Sequence, residues 1–344
     1  MSQQRTHDHN VDPAAKYRKE GWHTPVKVCT EGPPSRKAIH TLSRYTVTMT
    51  VNRTRRAFLG VAGIGLAGGC LQNGRRSTSL TMGVIPDVDP DTAIEQNTEL
   101  AEYIESELNA SVDLRTTTDY AGLIQAMTAG QVDLAYYGGV SYILAHHRAN
   151  AKPIVVGSKD GSTDWHSVFI AHESTGISSV DDLKRNAGEL DIVFGDPLST
   201  SGTVMPTYYL RQRHDLYPER AFQSHTHVGA HDAVMETVAG RNSDVGALNA
   251  RIYERIVEDQ SVEGSISEIW RTPGFADYPW AVSTALDEET VSSLRDAFTS
   301  LAEEGREDIL AQQNVNEYVS IRHEDFEELD DAVEMMGLRS DGDE

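Results

Sequence analysis

The sequence predicts an α/β protein built as two lobes, and three observations carry that expectation. From Leu80 onward, short apolar runs of strand length alternate with stretches of helical spacing. One unit occurs twice: Tyr120 and His231 each open a helix, Gly130 and Gly240 end them, and Asp133 and Asp244 begin the next strands. Each opener lies 13 residues ahead of its aspartate, so the two copies suggest lobes of similar design. A chain of 344 residues is long enough to give each lobe its own core.

Taken in order, residues 80–85 read as a strand and 92–108 as a helix, with Ile94, Leu100, Ile104 and Leu108 on one face. Residues 110–116 read as a strand, 120–129 as a helix, 132–136 as a strand, 140–148 as a helix and 153–156 as a strand. Strands at 167–172 and 190–194 flank an acidic helix at 179–186. A turn precedes a helix at 203–213, and the second copy of the repeat supplies a helix from His231 and a strand from Asp244 to Asn249. Strands at 270–272 and 280–284 bracket a loop, 287–304 is an amphipathic helix, and the acidic tail after Arg339 reads as frayed.

The first 70 residues stand apart from this pattern. Thr54-Arg55-Arg56-Ala57-Phe58-Leu59 leads into a short glycine-rich apolar run ending at Ala67-Gly68-Gly69-Cys70. That is the layout of an export signal: a basic start, a short apolar stretch and a small-residue site. It resembles a twin-arginine signal closed by a lipoprotein box at Cys70, with Leu66 one place early for the usual box. The run is shorter than the ~20 residues a spanning helix needs. Residues 1–48 are polar and without periodicity, and Met49 would set the arginines where such signals carry them. Residues 1–48 are therefore expected to be a misassigned leader, 49–70 the signal and 71–79 a linker.

Cysteine and charge narrow the classes further. Only Cys29 and Cys70 occur, so the mature globule is expected to hold no disulfide, thiolate metal site or cysteine nucleophile. Eleven of the 30 basic and four of the 53 acidic residues precede Cys70, leaving 19 basic against 49 acidic, a net of −30. Lys152, Lys159 and Lys184 are the lysines of that part. Such a surface repels nucleic acid. It looks like the surfaces of salt-loving archaea, where a Debye length near ~3 Å leaves ligand selection to contact hydrogen bonds.

The chemistry concentrates at Gly195-Asp196-Pro197-Leu198-Ser199-Thr200-Ser201-Gly202. Three hydroxyl residues before a helix put side-chain donors beside unpaired amides at the positive end of the helix dipole, which is an anion cradle. An ordinary capped helix is the plainer reading of the same residues. Tyr120 and His231 tip the balance, because neither is a favoured cap and both sit where a helix start would face an anion.

Four stretches in register carry a resemblance: Asp119-Tyr120-Ala121-Gly122-Leu123-Ile124, Asp133-Leu134-Ala135-Tyr136-Tyr137-Gly138, the hydroxyl turn above, and Gly229-Ala230-His231-Asp232, followed by Ile269-Trp270. Together they resemble the phosphonate-binding component of phosphate/phosphonate ABC importers. The resemblance implies a type II periplasmic-binding-protein fold, with two α/β lobes joined by two crossover segments. These are expected near 165–167 and 268–271. Lobe 1 would comprise 80–165 and 270–325, lobe 2 would comprise 166–269, and 326–344 would be an acidic C-terminal segment.

Carried over by position, Ser199, Thr200 and Ser201 would donate to phosphonate oxygens, His231 would add a ring N–H and Tyr120 a phenol. Trp165 would line the cleft, and Tyr137 would be a wall residue. Two departures bear on specificity. Where aminophosphonate binders place a glutamate, alignment through Asp244 puts Arg251, which could meet a second anionic group or project into solvent. Where they place an aspartate beside a proline, the chain reads Asp277-Tyr278-Pro279, so either Tyr278 or Asp277 takes that role. The implied partners are a small anionic ligand, a membrane permease with its cytoplasmic ATPase and a lipid anchor. The protein is expected to act as a monomer, without a cofactor.

Rivals fare worse. A serine hydrolase needs a Gly-x-Ser-x-Gly elbow, whereas Ser199 and Ser201 flank Thr200. The histidines at 146, 147, 166, 172, 225, 227 and 231 lack metal-ligand spacing, and no Gly-x-Gly-x-x-Gly follows a strand. The expectation is therefore a binding protein, not an enzyme. A receptor of the same fold for a sulfonate, a thiamine precursor or another oxyanion, or a ligand sensor, is the alternative.

Overall fold

The computed structural model describes residues 79–259 and 266–339. The twin-arginine stretch, the box at Cys70, the linker up to residue 78 and the tail from residue 340 lie outside the described residues. The elements run β1 Ser79–Val84, α1 Pro90–Leu108, β2 Ser111–Thr116, α2 Tyr120–Thr128, β3 Leu134–Tyr136, α3 Gly139–Ala149, β4 Lys152–Ser158 and β5 Asp164–Trp165. They continue with β6 Ser167–His172, α4 Val180–Asn186, β7 Asp191–Phe194, α5 Met205–His214, α6 Pro218–Ala221, β8 Ser224–His227, α7 His231–Ala239, β9 Val245–Asn249 and α8 Ala250–Glu258. The last are β10 Ile266–Arg271, β11 Phe275–Ala276, β12 Pro279–Val282, α9 Glu288–Ser300, α10 Glu307–Gln312, β13 Glu317–Ser320 and α11 Glu327–Met335.

Two mixed sheets organise these elements. One runs β13-β4-β12-β3-β1-β2 and the other β10-β6-β9-β7-β8. Apart from β13 they share one plan. A central strand (β1 or β7) pairs in parallel with its two neighbours, and antiparallel strands extend the sheet beyond β3 and β9. Within that plan α2 and α7 hold equivalent places, each running into the strand that the repeat's aspartate introduces. The spacing repeat is thus a repeat of architecture.

Local chemistry sets the boundaries. Asp89 caps α1 through the amides of Asp91 and Thr92, Pro90 occupies its first turn, and Asn109 ends it in the left-handed region at φ 46°. That cap starts the helix two residues earlier than its apolar spacing suggests. Leu100 and Ile104 are buried on its inner face, while Ile94 and Leu108 pack at its margin.

A two-stranded ribbon of β5 and β11 lies where the chain passes between the sheets. His166 and Thr272 tie the two passages together: His166 Nδ1 lies 2.8 Å from the Thr272 carbonyl, and the Ser167 and Thr272 amides bond across at 2.9 Å. Gly274 is required here, because a Cβ would stand 2.9 Å from the Asp164 Cβ. Trp270 and Arg271, expected in the first lobe, pair with Phe169 and Val168 of β6, so the second passage follows Arg271. The expected acidic tail is in part a core element: α11 buries Leu329, Ala332 and Val333 among the residues of α3.

Candidate functional site

The helix expected from residue 203 begins at Met205 after a wider turn, and Pro206 supplies the reason. A proline has no N–H to give the carbonyl four residues back, so the Gly202 carbonyl accepts the Gly195 amide instead, at 3.1 Å. Residues Thr200–Val204 wind as one wide π turn before α5 begins, a distortion frequent at functional sites. Ser199 Oγ accepts the Gly202 amide at 3.0 Å and fixes the turn. Gly202 is needed for close approach, since a Cβ there would stand 2.8 Å from Ser199 Oγ and 2.9 Å from His231 Cε1. Gly202→Ala is therefore expected to cost about 1–3 kcal/mol of ligand affinity through overpacking, checked by calorimetry with methylphosphonate.

Helix starts from both lobes meet this turn. Tyr120 is the first residue of α2, His231 of α7 and Gly139 of α3. Ser199, Thr200, Ser201, His231, Tyr120 and Asp277 are each no more than 1% exposed. Thr200 Oγ1 accepts the Val140 amide at 2.9 Å, and Asp277 Oδ1 accepts the Gly139 amide at 2.5 Å. A Cβ on Gly138 would touch Thr200 Oγ1, Tyr120 Cε1 and Asp277 Oδ1 at 3.2–3.6 Å, so these three groups surround one point. The start of α3, which the sequence reading did not single out, joins those of α2 and α7 around the turn.

His231 is held as a neutral donor. Its Nδ1 faces the Asn249 amide at 3.3 Å and can only accept there, which leaves the ring proton on Nε2, 3.2 Å from the Tyr278 hydroxyl. Burial, with the Arg255 charge as a secondary cause, pushes its pKa down to about 3. Asn249 was missed in the sequence and positions three things. Its amide fixes the His231 tautomer, its Nδ2 donates to Ser201 Oγ at 3.2 Å, and its Oδ1 caps α8 through Arg251 and Ile252. Its signal was legible as an asparagine ending a strand, a helix N-cap type.

Asp277 sits inside the cradle. Burial raises its pKa to about 7, against the lowering pull of the Gly139 amide, the Thr200 hydroxyl, the Tyr278 amide and the Ser201 hydroxyl. Its Oδ2 has no hydrogen-bond partner. The Tyr278 backbone takes φ 55° to turn the two side chains apart. Asp277 faces the hydroxyl turn, while the Tyr278 ring packs 4.5 Å from Trp165 and 5.3 Å from Tyr136.

One expected placement is corrected, and one of the two alternatives for Arg251 is removed. Tyr137 does not line the site: it is core, with its hydroxyl donating to the Leu123 carbonyl at 3.3 Å, and Tyr136 faces Tyr278 in its stead. Neighbouring strand residues point to opposite faces, so a one-residue error exchanged wall for core. Arg251 does not project into solvent. It is 8% exposed, its guanidinium lies 3.8 Å over the Trp165 ring, and Nη2 donates to the Asp164 carbonyl at 2.9 Å.

The lobes cap each other's helices. The Tyr120 amide of α2 donates to Asp196 Oδ2 of the second lobe at 3.3 Å, and the His231 amide of α7 donates to the Asp87 carbonyl of the first at 2.9 Å. The Asp89 amide reaches Asp232 Oδ2 at 3.0 Å beside them. These bonds describe a closed cleft in which the first amides of both helices are met from the opposite lobe.

A family model described as the phosphonate periplasmic substrate-binding protein of an ABC transporter matches residues 82–326. The chain is similar to a probable ABC transporter phosphite binding protein of Prochlorococcus marinus, 26% identical over 60% of this chain and 71% of the relative. It is also similar to a phosphonates-binding periplasmic protein of Escherichia coli, 28% identical over 64% of this chain and 65% of the relative. Among solved structures, the Prochlorococcus marinus PhnD1 complex with methylphosphonate shares the fold at TM-score 0.70 and 22% identity, covering 76% of this chain and 99% of that one.

Proposed function

The chain belongs to the family of phosphonate periplasmic substrate-binding proteins of ABC transporters, and on that premise we propose that it captures a small phosphonate, phosphite or phosphate outside the cytoplasm and delivers it to a membrane permease. It is held at the membrane by a lipid on Cys70 after twin-arginine export, and it catalyses no reaction. One observation supports the reading: the starts of α2, α3 and α7 and the hydroxyls of Ser199, Thr200 and Ser201 converge in one buried cluster. Helix starts and neutral hydroxyls desolvate an oxyanion without a buried counter-charge, whose desolvation would offset much of its attraction. The ligand oxygens would meet Tyr120, the three hydroxyls and His231 Nε2, with Trp165, Tyr278 and Tyr136 forming the wall beside them.

Titrating residues 71–344 with phosphate, phosphite, methylphosphonate and 2-aminoethylphosphonate in molar salt tests this. Methylphosphonate or phosphite is expected to bind at least tenfold tighter than 2-aminoethylphosphonate, because the Arg251 guanidinium stands where an ammonium would need a carboxylate. Tight 2-aminoethylphosphonate binding that Asp277→Ala weakens would reverse this order and assign the amine to Asp277. Failure of all four to bind would remove the receptor reading.

A further inference from the structure

Beside the cradle lies a cavity of about 30 Å³ whose lining includes Trp165, Arg251, Arg255, Tyr278, Tyr136 and Asp87. Two of these side chains carry buried donors with no partner: Arg251 Nη1 and Trp165 Nε1. Their residues are 8% and 4% exposed. A stranded donor bears the full cost of its lost hydration, and a charged one bears more. Two on one cavity wall therefore mark a place built for an acceptor. We propose that this cavity is a second anionic subsite, so that the preferred ligand is a phosphonate whose substituent ends in a carboxylate. The proposal rests on the receptor reading above and names the ligand class within it.

Size and charge agree with a carboxylate. A water needs roughly 10–15 Å³ of such space, so the cavity takes a planar three-atom group and not a second phosphoryl. Arg251 is preorganised for it. The guanidinium is clamped on the Trp165 face at 3.8 Å and by the Asp164 carbonyl through Nη2, which leaves Nη1 for the ligand. Asp87 is the carboxyl on the opposing side. It faces the Tyr278 hydroxyl and the Arg255 charge, and burial raises its pKa to about 6. On the lining itself two guanidinium groups stand against the one carboxyl of Asp87, while Glu254, Asp160 and Asp277 act on Arg251 from beyond it. The Tyr278 side chain joins the two parts: its hydroxyl meets His231 and its ring lines the cavity, so one short ligand can engage both.

Calorimetry in molar salt with phosphonoacetate and methylphosphonate tests the assignment through the ratio of their affinities. Phosphonoacetate is expected to bind the unaltered protein at least tenfold tighter, and Arg251→Met to bring that ratio below threefold. Arg251→Lys, which keeps the charge, is expected to retain more of the ratio than Arg251→Met. Trp165→Phe, which removes the indole N–H and keeps the ring, provides an independent variant and is expected to lower the ratio at least threefold. Methylphosphonate binding with a ratio near one, or a ratio that neither Arg251→Met nor Trp165→Phe changes, overturns the subsite alone. Binding of neither compound overturns the receptor reading and the subsite with it.

Discussion

Thr200→Val is expected to weaken methylphosphonate binding at least fiftyfold. Valine nearly matches threonine in shape, so the change removes the hydroxyl and little else. That hydroxyl has two uses in the closed cleft. It accepts the Val140 amide across the lobes at 2.9 Å, which leaves its own proton to donate to a ligand oxygen. Losing a donor to a charged oxygen costs about 1.5–3 kcal/mol, and stranding the Val140 amide in the closed form adds about 1–3 kcal/mol. Even the lower end of that sum exceeds fiftyfold at ~1.4 kcal/mol per decade. Thr200→Ser keeps the hydroxyl and should stay within tenfold of the unaltered protein. Calorimetry on both variants decides it: a valine variant within threefold would take Thr200 out of the site.

The bond that makes Thr200 costly to lose belongs to a wider arrangement. In each lobe the helix that runs into β3 or β9 begins with an aromatic ring, Tyr120 or His231, and its first amide is met from across the cleft by Asp196 or Asp87. Those two first amides find these partners only while the lobes are together. An anion between them adds its own attraction to both dipoles at once. Ligand binding and closure would thus be linked through the same helix starts, giving a two-lobed receptor a closed form that the ligand stabilises.

Much of this was legible in the sequence, for identifiable reasons. The Tyr120 and His231 units share a spacing because they share a place in two sheets of one plan, so a count of residues disclosed a fold. The hydroxyl turn and Asp277 were visible as residue types. Other features depend on contacts between distant segments, which periodicity does not report. Asp196 reaching α2, the Asp87 carbonyl reaching α7 and Asn249 orienting His231 are of that kind. Tyr136 and Tyr137 were exchanged because a three-residue strand gives too short an alternation to fix which tyrosine faces in. Strand β8, exposed at every residue, has no apolar alternation to reveal it, and α8 follows from the Asn249 cap that went unread. The π turn required seeing what Pro206 denies to Gly202.

Asp277 should make methylphosphonate affinity fall by up to tenfold per pH unit above pH 7. The unliganded closed site raises its pKa to about 7, chiefly by burial. An anion placed among Thr200, Tyr120 and the α3 amides adds like-charge repulsion, which raises that pKa further in the complex. Below pH 7 the carboxyl is protonated in both states and affinity is flat with respect to it. Above pH 7 the free protein has released the proton and the complex still holds it, so each binding event must take one up. One pKa unit is ~1.4 kcal/mol, hence the slope of a decade per pH unit until the complex itself titrates. The same shift acts on folding in the same direction. A carboxyl whose folded pKa lies above its unfolded 3.8 contributes stability that is fully present below pH 3.8 and is lost as pH rises to about 7, so the empty closed form weakens below the range in which affinity falls. Asp277→Asn keeps the shape, removes the titration and leaves the ligand's own ionisation untouched. The difference between the two dissociation-constant profiles from pH 6 to 9 therefore isolates this carboxyl. Parallel profiles would show that Asp277 holds no proton against the bound anion, and its free Oδ2 would then be available to a cation on the ligand.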